Sequence, residues 1–122
     1  MKKTDKKIEK ALIAALHKVC NDALGKVEGF EWLTHLVRFN DFPNSLRIVC
    51  VFKSNKSLEL ARKANFDHWL CECIQQQLTV IDASLYAVVL RDIGKHVQFD
   101  TEENCEIENN GDWGKRLNNT IH

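Results

Sequence analysis

A chain of 122 residues fits one domain, and a domain of that size buries roughly two-thirds of the surface its unfolded form exposes. With 44% hydrophobic and 28% charged residues, five glycines and one proline, the composition excludes a disordered or low-complexity chain. A formal net charge of zero removes the global electrostatic argument for nucleic acid, and the longest apolar runs, 11–16 and 85–90, fall far short of the roughly 20 residues a membrane-spanning helix needs.

In chain order, Ile8, Leu12, Ala15, Leu16, Val19, Cys20, Ala23 and Leu24 recur at three- and four-residue steps, which predicts a helix from about Asp5 to Leu24, stopped by Gly25. Lys2, Lys3, Lys6, Lys7 and Lys10 crowd its first turns, where the helix macrodipole favours negative charge. Residues 30–39 and 46–52, on either side of a turn at 40–44, predict a hairpin. Its second strand is nearly all apolar and is expected inside the sheet with both faces covered. Leu58, Ala61, Phe66, Trp69, Leu70, Cys73, Ile74 and Leu78 mark a second amphipathic helix, with Asn65 the place where it would break.

Residues 85–90 and 96–99, around a turn at 91–95, predict a second hairpin. Asp100-Thr101-Glu102-Glu103 reads as a capping box, with Asp100 as the cap of a short helix ending near Gly111. The expectation is a single α+β domain over residues 1–122, of order αββαββα. A four-stranded, mostly antiparallel sheet packs against the long N-terminal helix and the second amphipathic helix, and residues 112–122 form a tail.

Charge is unevenly divided. Residues 1–63 carry 13 Lys/Arg against 7 Asp/Glu and residues 64–122 carry 4 against 10, so the two parts stand at +6 and −6. Such a division implies complementary faces that pair within the monomer or between copies of it, or faces that meet foreign partners of opposite sign. Five cysteines, an odd count at irregular spacings without a clear secretion signal, fit free thiols and a cytoplasmic location.

Chemistry-bearing clusters are sparse. His68, Cys71 and Cys73 are metal-competent side chains, but on a helix Cys73 is turned about 200° from Cys71, so no zinc site is expected. His96 and Asp100, four residues apart on a strand, are separated by about 13 Å. His17, His35 and the cysteines form a nucleophilic pair only if the fold brings them together. Residues 60–74 mimic a helix-turn-helix around Asn65, yet the face that would read DNA carries Asp67 and Glu72. Trp113, in an otherwise polar stretch with Arg116 nearby, is an anchor either for the tail itself or for a partner.

Three landmarks, Phe30-Glu31-Trp32-Leu33-Thr34-His35, Phe99-Asp100-Thr101-Glu102-Glu103, and Gly111-Asp112-Trp113 with Arg116-Leu117, resemble those of a small family of uncharacterised bacterial proteins. Some members are described as Fis-type transcriptional regulators, so the resemblance implies a link to regulation and brings no active site. The leading expectation is a non-enzymatic regulatory or adaptor domain acting through protein contacts or self-association, with Trp113 and Arg116 as partner-binding candidates and no cofactor or metal. The alternative is a DNA-binding regulator using Lys2, Lys3, Lys6, Lys7 and Lys10 as phosphate contacts. A third is a small enzyme whose site is assembled only by the fold.

Overall fold

Helix α1 (Lys3–Lys26) runs beyond the expected stop at Gly25. The computed structural model describes residues 3–42, 44–81 and 89–118. One stripe of α1, Leu12, Leu16, Val19 and Ala23, is buried, as the three- and four-residue spacing demands. The reversal after it falls to Gly29, in the left-handed region at φ +86. A side chain there would meet the Ser57 Cβ at 2.5 Å, so glycine is required both for its conformation and for its size.

Strand β1 (Phe30–Leu36) pairs antiparallel with β2 (Arg47–Phe52), from Phe30↔Phe52 to Leu36↔Arg47, with a register shift between Phe30 and Trp32. The connecting residues include a 3-10 turn at Phe39–Asp41. Helices α2 (Asn55–Lys63) and α3 (Phe66–Ile81) follow, and then β3 (Val97–Thr101), α4 (Glu102–Asn109) and α5 (Trp113–Asn118). The expected single amphipathic helix is thus two, split where Asn65 adopts φ 63. Asparagine tolerates that region because its short side chain can bond locally. Ala61 is buried and Ala64, the residue that ends α2, is exposed.

The fold is α+β, and the expected sheet needs correction. Among the described residues it has three strands in the order β1-β2-β3, and β3 joins β2 in parallel, from Ile48↔Val97 to Phe52↔Thr101. The helical crossover α2–α3 carries the chain back to the starting end of β2, and a strand entering there must run parallel. Among the described residues no strand pairs with β3 as a hairpin, and Val89–Lys95 is a kinked 3-10 segment. The strand expected at 85–90 falls mainly outside the described residues. The order of the described helices and strands is αββααβαα, against the expected αββαββα.

Asp100 is not the cap of α4. Thr101, fully buried, takes that place, its Oγ1 accepting the Asn104 N–H at 3.0 Å and donating to Asn55 Oδ1 at 2.7 Å. Asp100 lies one residue too early and belongs to β3. Glu103 instead accepts the Asn55 N–H at 2.8 Å, placing a carboxylate on the exposed donors of α2.

Central strand β2 is buried on both faces. Ile48, Cys50 and Phe52 join Leu12, Leu70, Ile74 and Leu78 in the main core. Val49 and Val51, pointing the other way, are fully buried outside it, on the side where Cys105 of α4 is also sealed. Burial pushes the Cys50 thiol far up, and the Cys71 and Cys20 thiols push in the same direction.

That shift has a consequence for alkaline stability. The unfolded chain releases the Cys50 proton near pH 8.5 while the folded one keeps it, so the stabilisation is complete below that pH and lost above it. Unfolding free energy measured by urea titration is expected to gain a downward slope of about 1.4 kcal/mol per pH unit above pH 8.5. Cys50→Ala should remove that component; an unchanged slope in the variant would refute the assignment.

Candidate functional site

Chain reversal at Gly29 lays β1 back along α1, and an open groove of about 260 Å³ lies between them. Ile13, Leu16, His17 and Cys20 form its helical wall, and Leu33 and His35 form the strand wall. At its N-terminal end the Glu9 carboxylate accepts the His35 Nε2–H at 2.7 Å, with the two side chains 29% and 14% exposed. This pair staples the second turn of α1 to β1.

The fold does bring His17, His35 and Cys20 to one groove. Neither imidazole hydrogen-bonds the Cys20 thiol, whereas an activated thiol needs its base within bonding reach. Among the described residues no group of three His, Cys, Asp or Glu side chains converges to hold a metal ion. The His96 Nδ1–H donates to the Leu46 carbonyl at 2.8 Å, whereas Asp100 binds Arg116. Cys71 and Cys73 are both pushed up by burial first; Asp67 and Glu72 add to this at Cys71, and Asp22 and Glu72 at Cys73.

Alongside the groove, α1 carries a second apolar stripe. At about 100° per residue, Ile13, His17, Cys20 and Leu24 fall within an arc of about 60°. Ile13 is 55% exposed and Leu24 52%, both large hydrophobic side chains turned away from the core. Lys3, Lys6, Lys7 and Lys10 are all exposed and fall within an arc of about 100° that begins on this stripe. Lys2 lies outside the described residues.

Trp113 and Arg116 are engaged within the chain. The Glu102 carboxylate accepts an indole N–H from Trp32 at 2.5 Å and another from Trp113 at 3.1 Å, and the two rings meet edge-on at 4.8 Å. Arg116 forks onto Asp100, Nε to Oδ2 at 2.7 Å and a terminal nitrogen to Oδ1 at 2.9 Å. Its other terminal nitrogen reaches Glu108 at 2.7 Å and Asn109 at 3.0 Å. The stretch from residue 112 is therefore pinned to β1 and β3 as far as Asn118.

Sequence reasoning missed the Glu9–His35 staple and the Glu102 clasp. Their partners are 26 and 70 positions apart, and no local pattern links them. The outer stripe left a partial signal: Ile13 is an apolar position outside the core periodicity, whereas Leu24 fits that periodicity and is 52% exposed.

Among the described residues no helix is long and apolar enough to cross a membrane. No protein-family model matches the chain, and neither does any curated protein or solved structure.

Proposed function

We propose that the chain is a non-enzymatic regulatory or adaptor domain of the cytoplasm that works through protein contacts, with the α1–β1 groove and its outer stripe as the contact face. The observation that supports this is the pairing of two large, half-exposed hydrophobic side chains, Ile13 and Leu24, with an open groove beside them. Exposed apolar surface costs free energy unless something covers it. Ile13 and Leu24 share one face of α1 beside a groove, whereas Leu60, Val80 and Ile107 are exposed singly on other helices, and that pairing favours a partner at α1.

The test compares the native chain with an Ile13→Asp/Leu24→Asp variant for self-association and for capture of partners from cell extract. Both substitutions are at exposed positions, so the fold is expected to persist by circular dichroism. Association by the native chain that the variant loses is the expected result. Association by neither, or equal association by both, would dismiss the reading.

A second reading, a DNA-binding regulator, draws on the shared face of Lys3, Lys6, Lys7 and Lys10. It requires affinity for random duplex DNA that falls steeply with salt, with a log–log slope of about −0.9 per phosphate neutralised. No binding at low salt in a fluorescence titration would remove it.

A further inference from the structure

Resting on the protein-contact reading, we infer that the α1–β1 groove takes a second copy of this chain, docked as an antiparallel α1–α1 pair about a two-fold axis.

The outer stripe is self-complementary under that operation. In an antiparallel pair centred between His17 and Cys20, Ile13 meets Leu24 of the second copy and His17 meets Cys20 of the second copy, each contact occurring twice. Those spacings of four, three and four residues are the ones that let two helices interlock along one seam. Ile13 and Leu24 lie about 16 Å apart along the helix, on either side of the groove's helical wall. Each half-exposed side chain thus finds the other's counterpart rather than water.

Charge supports the same orientation. The N-terminal end of the stripe is bordered by exposed Lys6 and Lys10, and exposed Glu31 stands at the β1 irregularity towards its other end, while Glu28 faces α2 and the start of α3. Antiparallel docking brings the lysine end of one copy to the glutamate end of the other, whereas parallel docking opposes like charges. The remaining charged groups here do not reverse this pattern. Glu9 is held by His35, and Lys26 lies 4.9 Å from the centre of the Trp69 ring, towards α3. Lys18 and Asp22 point away from the stripe, roughly 100° or more from each of its residues. The edge of β1 also borders this face: among the described residues β1 pairs with β2 alone.

Sedimentation velocity of the full chain across a concentration series tests this directly, with circular dichroism to confirm that each variant folds. A concentration-dependent dimer is expected. Ile13→Asp should raise its dissociation constant roughly thirtyfold, the effect of losing a central apolar anchor. Lys10→Glu and Glu31→Lys should each weaken it, and the two together should restore it, because the exchanged charges face each other again. A folding defect would not produce that restoration.

A native chain that stays monomeric throughout overturns the inference, as does a dimer indifferent to Ile13→Asp, or a charge exchange that fails to restore association. The protein-contact reading has a separate fate. If the chain is monomeric but a foreign partner is captured through Ile13 and Leu24, that reading stands and only the second copy is excluded.

Discussion

Phe52→Ala is expected to lower the free energy of unfolding by about 4 kcal/mol, within the range for removing a fully buried aromatic ring. Phe52 is 0% exposed and occupies the end of the central strand, paired with Phe30 on one side and Thr101 on the other. Its ring meets Phe30 edge-on at 5.7 Å and lies 6.5 Å from Phe99, so it joins all three strands as well as filling the core beneath α1 and α3. The loss combines the transfer energy of the ring with the cavity that rigid strand neighbours cannot close. Urea unfolding followed by circular dichroism would measure it, with the midpoint falling and the m-value unchanged. Phe52→Leu should cost less than half as much. A loss under about 1 kcal/mol for Phe52→Ala would mean that the three-strand junction is not closed in solution.

Arg116→Ala is expected to cost about 3 kcal/mol, the scale for breaking a largely buried ion pair by removing one partner. The guanidinium is 16% exposed and Asp100 12%, so the variant strands a carboxylate that little water can reach. Asp100 comes first in holding Arg116 as a cation, above even the usual arginine range, by direct hydrogen bonds; burial opposes it and Glu108 assists. Arg116→Lys should recover little, because an ammonium cannot fork onto both carboxylate oxygens. The double variant Asp100→Leu/Arg116→Met should regain much of the loss, since the uncompensated charge is gone. Were Arg116→Ala to cost no more than about 0.5 kcal/mol, the pair would belong with exposed surface bridges, and α5 would contribute little to the fold.

The helices and the central strand were legible because their information is local. The buried stripe of α1 is written in three- and four-residue steps, and the unbroken apolar run of β2 announces a strand covered on both sides. The break at Asn65 was visible as a residue type. The direction of β3 was not: a strand paired in parallel with β2 and one paired in a hairpin with a preceding segment carry the same short alternation. What decides between them is the path of α2 and α3 in space. The cap of α4 was misplaced by one residue because Asp100 and Thr101 are both good caps, and only the distant Arg116 claims the aspartate for another purpose. At the groove, Ile13 could have been marked as an apolar position outside the core stripe, but Leu24 fits the stripe's spacing and only the fold shows it exposed, and the Glu9–His35 staple joins a helix to a strand whose approach depends on the reversal at Gly29.

The Glu102 clasp also sets a timetable for the chain as it is made. Trp32 and Glu102 are 70 positions apart. At about 5–20 residues per second, roughly 4–14 s of synthesis separate the indole from the carboxylate that receives it. For most of that interval, once Phe52 has been made, β1 and β2 exist while α4 and α5 do not. Val49 and Val51, fully buried in the finished protein, lie on the sheet face of Trp32 and Asp100, and the groups of α4 and α5 that reach that face are missing until those helices are made. The newborn hairpin therefore spends seconds with one greasy side uncovered, long enough for a chaperone to find it, and its protection is completed only once α5 has been made.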